Sequence, residues 1–527
     1  MPSLDISGVK VLPRLPDYVT EYANTTPDAT AVVFDNERIC YAELEHQIRR
    51  WARALLASGV RKGDRVAMLS TPRPEFWIAF LATARIGGIW VGLNPRYTHR
   101  ECAYVVGDAQ PSVLVSIAAF DGIDYQEHVD AVSAAHPGLQ AVAFAGTLEG
   151  CDTLAAFLAV GERIDDATLE AAENEVSTTD PCLIVYTSGS TGSPKGAVLT
   201  HYGLTYGATL QTTHFDIDDP GIVVSFPINH VASVADTCAT TLVKGGKIVF
   251  QEQFDPISSV AATSDERCTL MGGVPTMYQM QLAATDFDSV DLSALRLILW
   301  GGAAMPVETI RQLQATGARL VTAYGMTETA THVTYTDADA DFDTLATTVG
   351  RPDPHCEFRI ETDNGQPSSE NNTGEIQLRA DFLMTEYWRR PDASAEARTP
   401  DGWFRTGDVG YIRPDGNVRL VGRMSDMFKS GGYNVYPREI ESVLEQHAAV
   451  ALAAVVGVPD PLYQEVGCAW IQREAGTDVE AKALEQWCRD KVANYKVPKS
   501  FRIVDELPLL PVGKVDKTAL RKRSREA

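Results

Sequence analysis

The sequence predicts an α/β protein: a large N-terminal domain of layered α/β subdomains plus a small β-rich section, followed by a small α+β C-terminal domain. Three observations carry this. Short β-rich runs alternate with helical patterns of ten or more residues through much of the chain. After about Val349 the texture changes to short strands and Gly/Pro/Asn turns, such as RPDG at 413–416. Beyond the turn-rich segment VGRMSDMFKSGGYNVYP, 421–437, lies a further unit with helices and strands of its own. A chain of 527 residues is also too long for one core and calls for two or more domains.

Taken in order, Leu44, Ile48, Trp51 and Leu55 repeat at helical spacing and predict a helix over 41–58. Strands are expected at 65–69, 112–116, 183–186, 222–226, 247–250, 295–300 and 320–323, with helices at 231–242 and 306–316 among them. The most apolar long run, 76–93, carries Arg85 and a Gly87-Gly88 pair, so a buried helix followed by a strand explains it better than a membrane span. PREIESVLEQH and AKALEQWCRDKVANY read as helices, with strands near 452–456 and 467–471. The closing RKRSREA reads as a solvated basic tail.

With 46 Lys and Arg against 70 Asp and Glu, the formal charge is −24. An acidic chain of this kind repels nucleic acid and anionic membrane, and any anionic substrate must be held by locally placed donors. The nine cysteines form no C-x-x-C pair, so neither a zinc site nor a disulfide framework is expected. The N-terminus has no apolar signal core. These features place the protein in a reducing cytoplasm.

YTSGSTGSPKG, 186–196, follows a strand-like run and so sits at the strand's C-terminal end, where α/β sheets bind ligands. Gly189, Gly192 and Gly196 let the backbone present N–H groups to an anion. Thr187, Ser188, Ser190 and Thr191 add hydroxyls, and Lys195 adds charge. The spacing is not that of the Walker loop: Ser193-Pro194 separates Gly192 from Lys195, and Gly196 replaces the metal-binding hydroxyl. A flexible linker has a similar composition, but linkers seldom join a β-branched strand to a lysine and another apolar run. A phosphate chain is the expected ligand.

This motif resembles the phosphate loop of the adenylate-forming enzymes, the superfamily of acyl- and aryl-CoA synthetases, firefly luciferase and the adenylation domains of nonribosomal peptide synthetases. Further motifs follow in that family's order: NPRYTHRE (94–101), GGAAMP (301–306), AYGMTET (323–329), GWFRTGDVG (402–410), GRMSDMFKSGGYNVYPREIE (422–441) and PVGKVDKTAL (511–520). The resemblance implies an AMP-forming acid–thiol ligase that uses ATP, Mg²⁺ and coenzyme A. A carboxylate oxygen attacks the α-phosphate of ATP, and a thiol then takes the acyl group. Both first partners are anionic, so catalysis is mainly neutralisation and alignment.

By the same resemblance, Gly301, Gly302, Ala303 and Ala304 form the adenine-side loop, with Ala323, Tyr324, Gly325 and Met326 beside it. Tyr324 can stack on adenine, Thr327 can reach a phosphate, and Glu328 can hold Mg²⁺. Asp408 becomes the ribose-diol acceptor and Arg423 a second ribose contact. Lys514 bridges the attacking carboxylate and the α-phosphate; Val512 stands where relatives often have Thr. The chain then divides into an ATP- and acid-binding domain, 1–424, and a mobile domain, 425–527, that swings about Ser425, where many relatives carry Asp or Lys. Lys429, Ser430, Gly431, Gly432 and Tyr433 border the channel for coenzyme A. The acid pocket is expected among Phe226–Val231, Val274-Pro275, Trp300–Gly302, Tyr324–Met326 and His332-Val333. His230 is expected to gate the carboxylate, with Val231, Trp300, Gly325 and Met326 as lining. A bulky Trp300 wall favours an aromatic or short-to-medium acid. The expected partners are small molecules, with no nucleic acid and no integral membrane association, and the working unit is a monomer or homodimer. Two alternatives stay open: transfer of the acyl group to an amine or carrier protein, and a nucleotide-binding regulator without catalysis.

Overall fold

The structure is a computed structural model that describes the whole chain except residues 1–4, 7–8, 188–193, 431–432, 475, 510–514 and 527. Two large sheets dominate its N-terminal part. One has seven strands in the spatial order Asp152–Thr153, Gln140–Phe144, Val113–Ile117, Arg65–Leu69, Ile89–Leu93, Pro181–Thr187 and Lys195–Thr200. Its ladder is parallel up to Pro181–Thr187, which then turns back on Lys195–Thr200 as an antiparallel hairpin. The other has nine strands, and its centre is parallel: Arg319–Gly325, Leu297–Trp300, Leu270–Gly273, Gly221–Val224, Lys247–Phe250 and Thr30–Phe34. The fold is therefore mixed α/β, as the alternation of strand and helix patterns predicts.

The apolar run at 76–93 resolves into helix Pro74–Arg85 and strand Ile89–Leu93. The helix is buried almost all round because both sheets press on it. Phe76 packs on Trp90 of the seven-stranded sheet (ring centroids 5.9 Å) and on Phe250 of the nine-stranded one (5.4 Å). Such aromatic contacts add to the area they bury. Arg85 is buried at the end of this helix, and its guanidinium is paired with Glu45 at 2.6 Å and Glu173 at 3.6 Å. A buried charge is tolerated only when so compensated.

A four-stranded antiparallel sheet follows: Glu357–Thr362, Gly374–Arg379, Phe404–Ile412 and Val418–Arg423. The RPDG turn joins the last two strands, with Gly416 at φ +88° in the left-handed region that glycine adopts without strain. The C-terminal sheet contains Tyr433–Val435, Phe428–Ser430, Gln464–Arg473, Val450–Asp460 and Ser500–Val504, covered by helices Pro437–Leu444 and Ala481–Arg489.

Three sequence expectations change. The helical pattern at 231–242 is wound largely as a π-helix, Ala232–Ala239, followed by the short α-turn Thr240–Leu242. Threonine hydroxyls favour the wider turn: Thr237 Oγ1 donates to Ala232 O at 2.8 Å and Thr240 Oγ1 to Ala235 O at 3.2 Å, each five residues back. The basic tail is not simply solvated, since helix Lys517–Glu526 docks on the C-terminal sheet. Leu520 is fully buried, Trp470 Nε1 donates to Ser524 Oγ at 2.9 Å, and Arg521 pairs with Asp426 at 2.8 Å.

Trp300 is the third change. The resemblance puts it on the acid-pocket wall, yet its side chain has no exposed surface and packs in a cluster with Met271, Tyr278, Ile298, Met305 and Ile310. Strand alternation is the reason: Trp300 shares a face with Ile298, while Leu299 belongs to the other core and points oppositely. The bulk of this indole therefore fills a core and gives no measure of pocket depth. Trp300→Ala is expected to lower stability by about 3–5 kcal/mol, measured from the urea midpoint by circular dichroism. A loss below about 1 kcal/mol would show that the indole is not core.

Candidate functional site

Pro181–Thr187 and Arg319–Gly325 each end at the carboxyl edge of a parallel sheet, the edge at which ligands bind in open α/β folds. Thr187 pairs with Lys195 across the hairpin, and Thr187 Oγ1 donates to Lys195 O at 3.3 Å. Ser188, Gly189, Ser190, Thr191 and Gly192, which the phosphate reading needs, lie outside the described residues. Both feet of their loop connect to Asp108, one directly and the other through Tyr104 and Arg390. Tyr186 Oη donates to Asp108 Oδ2 at 2.7 Å, and Arg390 pairs with Asp108 Oδ1 at 2.7 Å. Arg390 also donates to Tyr104 Oη at 3.2 Å, and Tyr104 Oη donates to Pro194 O at 2.9 Å. Burial pushes the Tyr186 hydroxyl up, so it stays a donor.

The segment after Met384 runs along the hairpin: Val198 N donates to Glu386 O and Trp388 N to Gly196 O. That pairing brings Tyr387 between two predicted residues. Its hydroxyl donates to Glu328 Oε1 at 2.7 Å, and Lys195 Nζ stands 5.2 Å from its ring centroid. Such a placement is a cation–π contact. Glu328 is buried in the short 3₁₀ turn Thr327–Thr329, and Thr327 is buried beside it. Burial pushes the Glu328 carboxyl above its usual range, opposed by the Tyr387 hydrogen bond.

Tyr324, Asp408 and Arg423 form a second group. Tyr324 Oη donates to Asp408 Oδ2 at 2.6 Å, and Arg423 Nε meets Asp408 Oδ1 at 2.9 Å. Strand pairing places Asp408 directly opposite Arg423. Burial and then the Asp408 charge hold the Tyr324 hydroxyl well above its ordinary value, while Asp408 raises Arg423. Each Asp408 oxygen keeps a further lone pair for a ligand hydroxyl. Gly302, Ala303 and Ala304 form an exposed loop after strand Leu297–Trp300, with Gly301 half-buried at its base. Ala323 is buried within its strand; Gly325 and Met326 are half-buried at its end.

His230 is half-buried, and its Nδ1 accepts the Ala232 N–H at 3.1 Å; Val231 is buried. Both lead into the π-helix, so the structure brings them to the same neighbourhood as Asp236. On the C-terminal side, Ser425 is exposed in the turn between Val418–Arg423 and Phe428–Ser430. Lys429 is exposed and Ser430 buried, and Tyr433 is exposed and stacked on Tyr495 with centroids 4.5 Å apart. Gly431, Gly432 and Lys514 lie outside the described residues.

Sequence reading missed Tyr387, Asp108, Tyr104 and Arg390. The only signal was local: TEYWRR, 385–390, is unusually aromatic and basic for a segment between strands. The Glu328 carboxylate has one oxygen on Tyr387, and among the described residues there is no group of three or more His, Cys, Asp or Glu side chains suited to a metal. One hard oxygen donor fits Mg²⁺, which commonly takes one or two carboxylates and completes its shell with substrate phosphates and water. Among the described residues no helix is long and apolar enough to cross a membrane.

Comparison with known proteins agrees with this geometry. A feruloyl-CoA synthase from Amycolatopsis is 37% identical over 502 residues, 95% of this chain and 97% of that one. A structure of ATP-bound MatB from Rhodopseudomonas palustris superposes with a TM-score of 0.83 at 28% identity, covering 98% of this chain and 99% of that one. The amide bond synthetase McbA from Marinactinospora thermotolerans also gives 0.83 at 28% identity, with 97% and 99% covered. The AMP-binding enzyme profile matches residues 19–388, and the profile of its C-terminal domain matches 439–514. With most of its length matched, the chain belongs to the AMP-binding enzyme family of adenylate-forming proteins.

Proposed function

We propose that the protein is an ATP-dependent carboxylate–CoA ligase that forms an acyl-adenylate and then an acyl thioester. The observation that carries this reading is the Lys195–Tyr387–Glu328 arrangement at the foot of the glycine-rich hairpin, with Tyr324, Asp408 and Arg423 beside it. Relatives named as CoA synthases over nearly the whole chain support coenzyme A as the acceptor.

In the first step a carboxylate oxygen bonds to the α-phosphorus of ATP as the bond to the β-phosphate oxygen breaks, releasing pyrophosphate. Loop 187–192 and Lys195 receive the charge that builds on the leaving phosphates. Glu328 would hold Mg²⁺, which when bound supplies charge neutralisation across the phosphates. Tyr387 keeps the Glu328 carboxylate aimed, and Thr327 offers a hydroxyl to a phosphate. Tyr324 orients the nucleobase, and Asp408 with Arg423 receives the ribose hydroxyls. Lys514 places a cation between the two reacting anions.

In the second step the sulfur of coenzyme A attacks the acyl carbonyl and AMP leaves with the bonding electron pair. Residues 425–527 turn about Ser425 between the steps, bringing Lys429, Ser430, Gly431, Gly432 and Tyr433 to the site. The exposed turn at Ser425 supports this, since a hinge must absorb a large backbone rotation. The cytoplasm is the proposed compartment, supported by nine free cysteines. A second reading, transfer to an amine, is favoured by the likeness to McbA; product analysis with and without coenzyme A separates the two.

Lys514→Ala is expected to reduce acid-dependent ATP–pyrophosphate exchange at least about a hundredfold, while thioester formation from supplied acyl-adenylate persists. Equal loss in both assays would remove the lysine from the first step. Ser425→Pro should keep exchange and lose thioester formation; retention of both would put the pivot elsewhere. Asp108→Ala unties the Tyr186 foot of the hairpin and frees Arg390, and should raise the KM for ATP about tenfold, leaving the KM for the acid little changed. An unchanged KM for ATP would show that the hairpin holds its shape unaided.

A further inference from the structure

A buried polar cluster lies between helix His201–Phe215, the π-helix Ala232–Ala239 and strand His332–Tyr335, and no step above uses it. At its centre Gln211 is fully buried with its amide fully engaged. Gln211 Oε1 accepts from His332 Nδ1 at 2.8 Å; Nε2 donates to Thr240 Oγ1 at 2.9 Å and to Asp236 Oδ1 at 3.4 Å. This orientation assigns the imidazole proton to Nδ1 and leaves His332 Nε2 uncommitted. The Asp236 carboxylate and the imidazole stand 3.8 Å apart, with side chains 14% and 13% exposed. Burial pushes the Asp236 carboxyl up, opposed by His332. Among the described residues, Asp236 Oδ2 and His332 Nε2 have no hydrogen-bond partner, yet neither atom is sealed from solvent.

The cluster adjoins the loops that carry the chemistry. His332 sits directly opposite Gly325 of AYGMTET in the antiparallel pairing. A Cβ on Gly325 would stand 2.8 Å from His332 Cα, and one on Gly301 would stand 3.3 Å from His332 Nε2. Gly301 thus lets its strand end approach the imidazole, and Gly325 lets its strand approach the backbone that carries it. Asp236 lies in the π-helix that begins two residues after His230. A π-helical turn commonly marks a functional position, because it redirects one side chain out of the regular α-pattern. A half-satisfied polar cluster costs stability in an apolar interior unless a ligand completes it.

We propose that Asp236 and His332, oriented by Gln211, form the polar end of the acid-binding site and select carboxylic acids bearing a hydroxyl group remote from the carboxylate. The hydroxyl donates its proton to Asp236 Oδ2, and His332 Nε2 provides the adjacent polar surface. A second carboxylate at that end is disfavoured by repulsion from Asp236. This assignment rests on the ligase reading, because it presumes that the acid enters beside Gly301 and Gly325.

The test is acid-dependent ATP–pyrophosphate exchange with three matched pairs of acids: benzoic, phenylacetic and cinnamic, each with and without a 4-hydroxyl. The full-length protein is expected to prefer the hydroxylated member of at least one pair by about tenfold or more in kcat/KM, as for a hydrogen bond to a charged group. Asp236→Ala should bring that pair within about threefold, the rate on the hydroxylated acid falling more than the rate on the other. Should the alanine variant be insoluble, Asp236→Asn preserves the volume and should lower the same preference. Exchange without preference in any pair overturns the assignment and leaves the ligase reading intact. A preference that survives substitution of Asp236 also overturns it. Absence of exchange with every acid defeats both.

Discussion

The hydrogen bond from the Tyr387 hydroxyl to the Glu328 carboxylate ties the site together. It links a residue from the strand-crossing segment after Met384 to the turn that ends strand Arg319–Gly325. The Tyr387 ring at the same time receives the Lys195 ammonium from the hairpin formed by Pro181–Thr187 and Lys195–Thr200. One side chain thus connects a cation from the seven-stranded sheet to an anion from the nine-stranded sheet. Without a donor, a carboxylate as buried as Glu328 would favour its neutral form and lose its use as a charged ligand. The tyrosine therefore fixes the position of its partner and opposes the upward push of burial on its carboxyl.

That contact depends on the two sheets holding a fixed relation, which helix Pro74–Arg85 provides. Phe76 touches an aromatic from each sheet, and Arg85 closes the helix end through Glu45 and Glu173. The apolar run at 76–93 is thus long because it is surrounded, and its charge is tolerated because it is paired. The same residues that make the segment resemble a membrane span in composition make it the joint between the layers.

Much of this was legible in the sequence. Strands such as Arg65–Leu69 and Lys247–Phe250 fall where β-branched runs predict them, and helix Tyr41–Ala57 follows its apolar period. Glu328, Asp408 and Tyr324 were singled out because motif chemistry is local: AYGMTET carries Tyr324 and Glu328, and GWFRTGDVG carries Asp408. Tyr387, Asp108 and Gln211 were not, because their roles arise from pairing between distant segments, and no local pattern encodes that: Tyr387 and Glu328 are 59 residues apart, Asp108 and Tyr186 78, and Gln211 and His332 121. Trp300 failed for a different reason. Strand alternation reverses a side chain's face at every residue, so a motif-based placement one position out carries a residue from cavity to core. The docking of Lys517–Glu526 was hidden in the same way, since its single buried Leu520 is outweighed in the sequence by the charges around it.

The overall charge of −24 is unfavourable for a reaction between a carboxylate and a triphosphate, and the structure meets this locally. Acidic groups near the site are committed to neighbours: Asp108 to Arg390 and Tyr186, Asp408 to Arg423 and Tyr324, and Glu328 to Tyr387. Each carboxylate thereby serves to place a donor or a ring, and its charge is balanced or shared. Asp236 departs from that rule. One of its oxygens reaches Gln211 at 3.4 Å and stands 3.8 Å from the His332 imidazole, and the other has no hydrogen-bond partner among the described residues. On the proposed reading, a carboxylate with a free oxygen suits the end of the site that meets the substrate away from its own negative end. The proposed asymmetry would give the acid a direction, carboxylate toward the phosphates and hydroxyl toward Asp236, so that one charge pattern serves both alignment and choice of substrate.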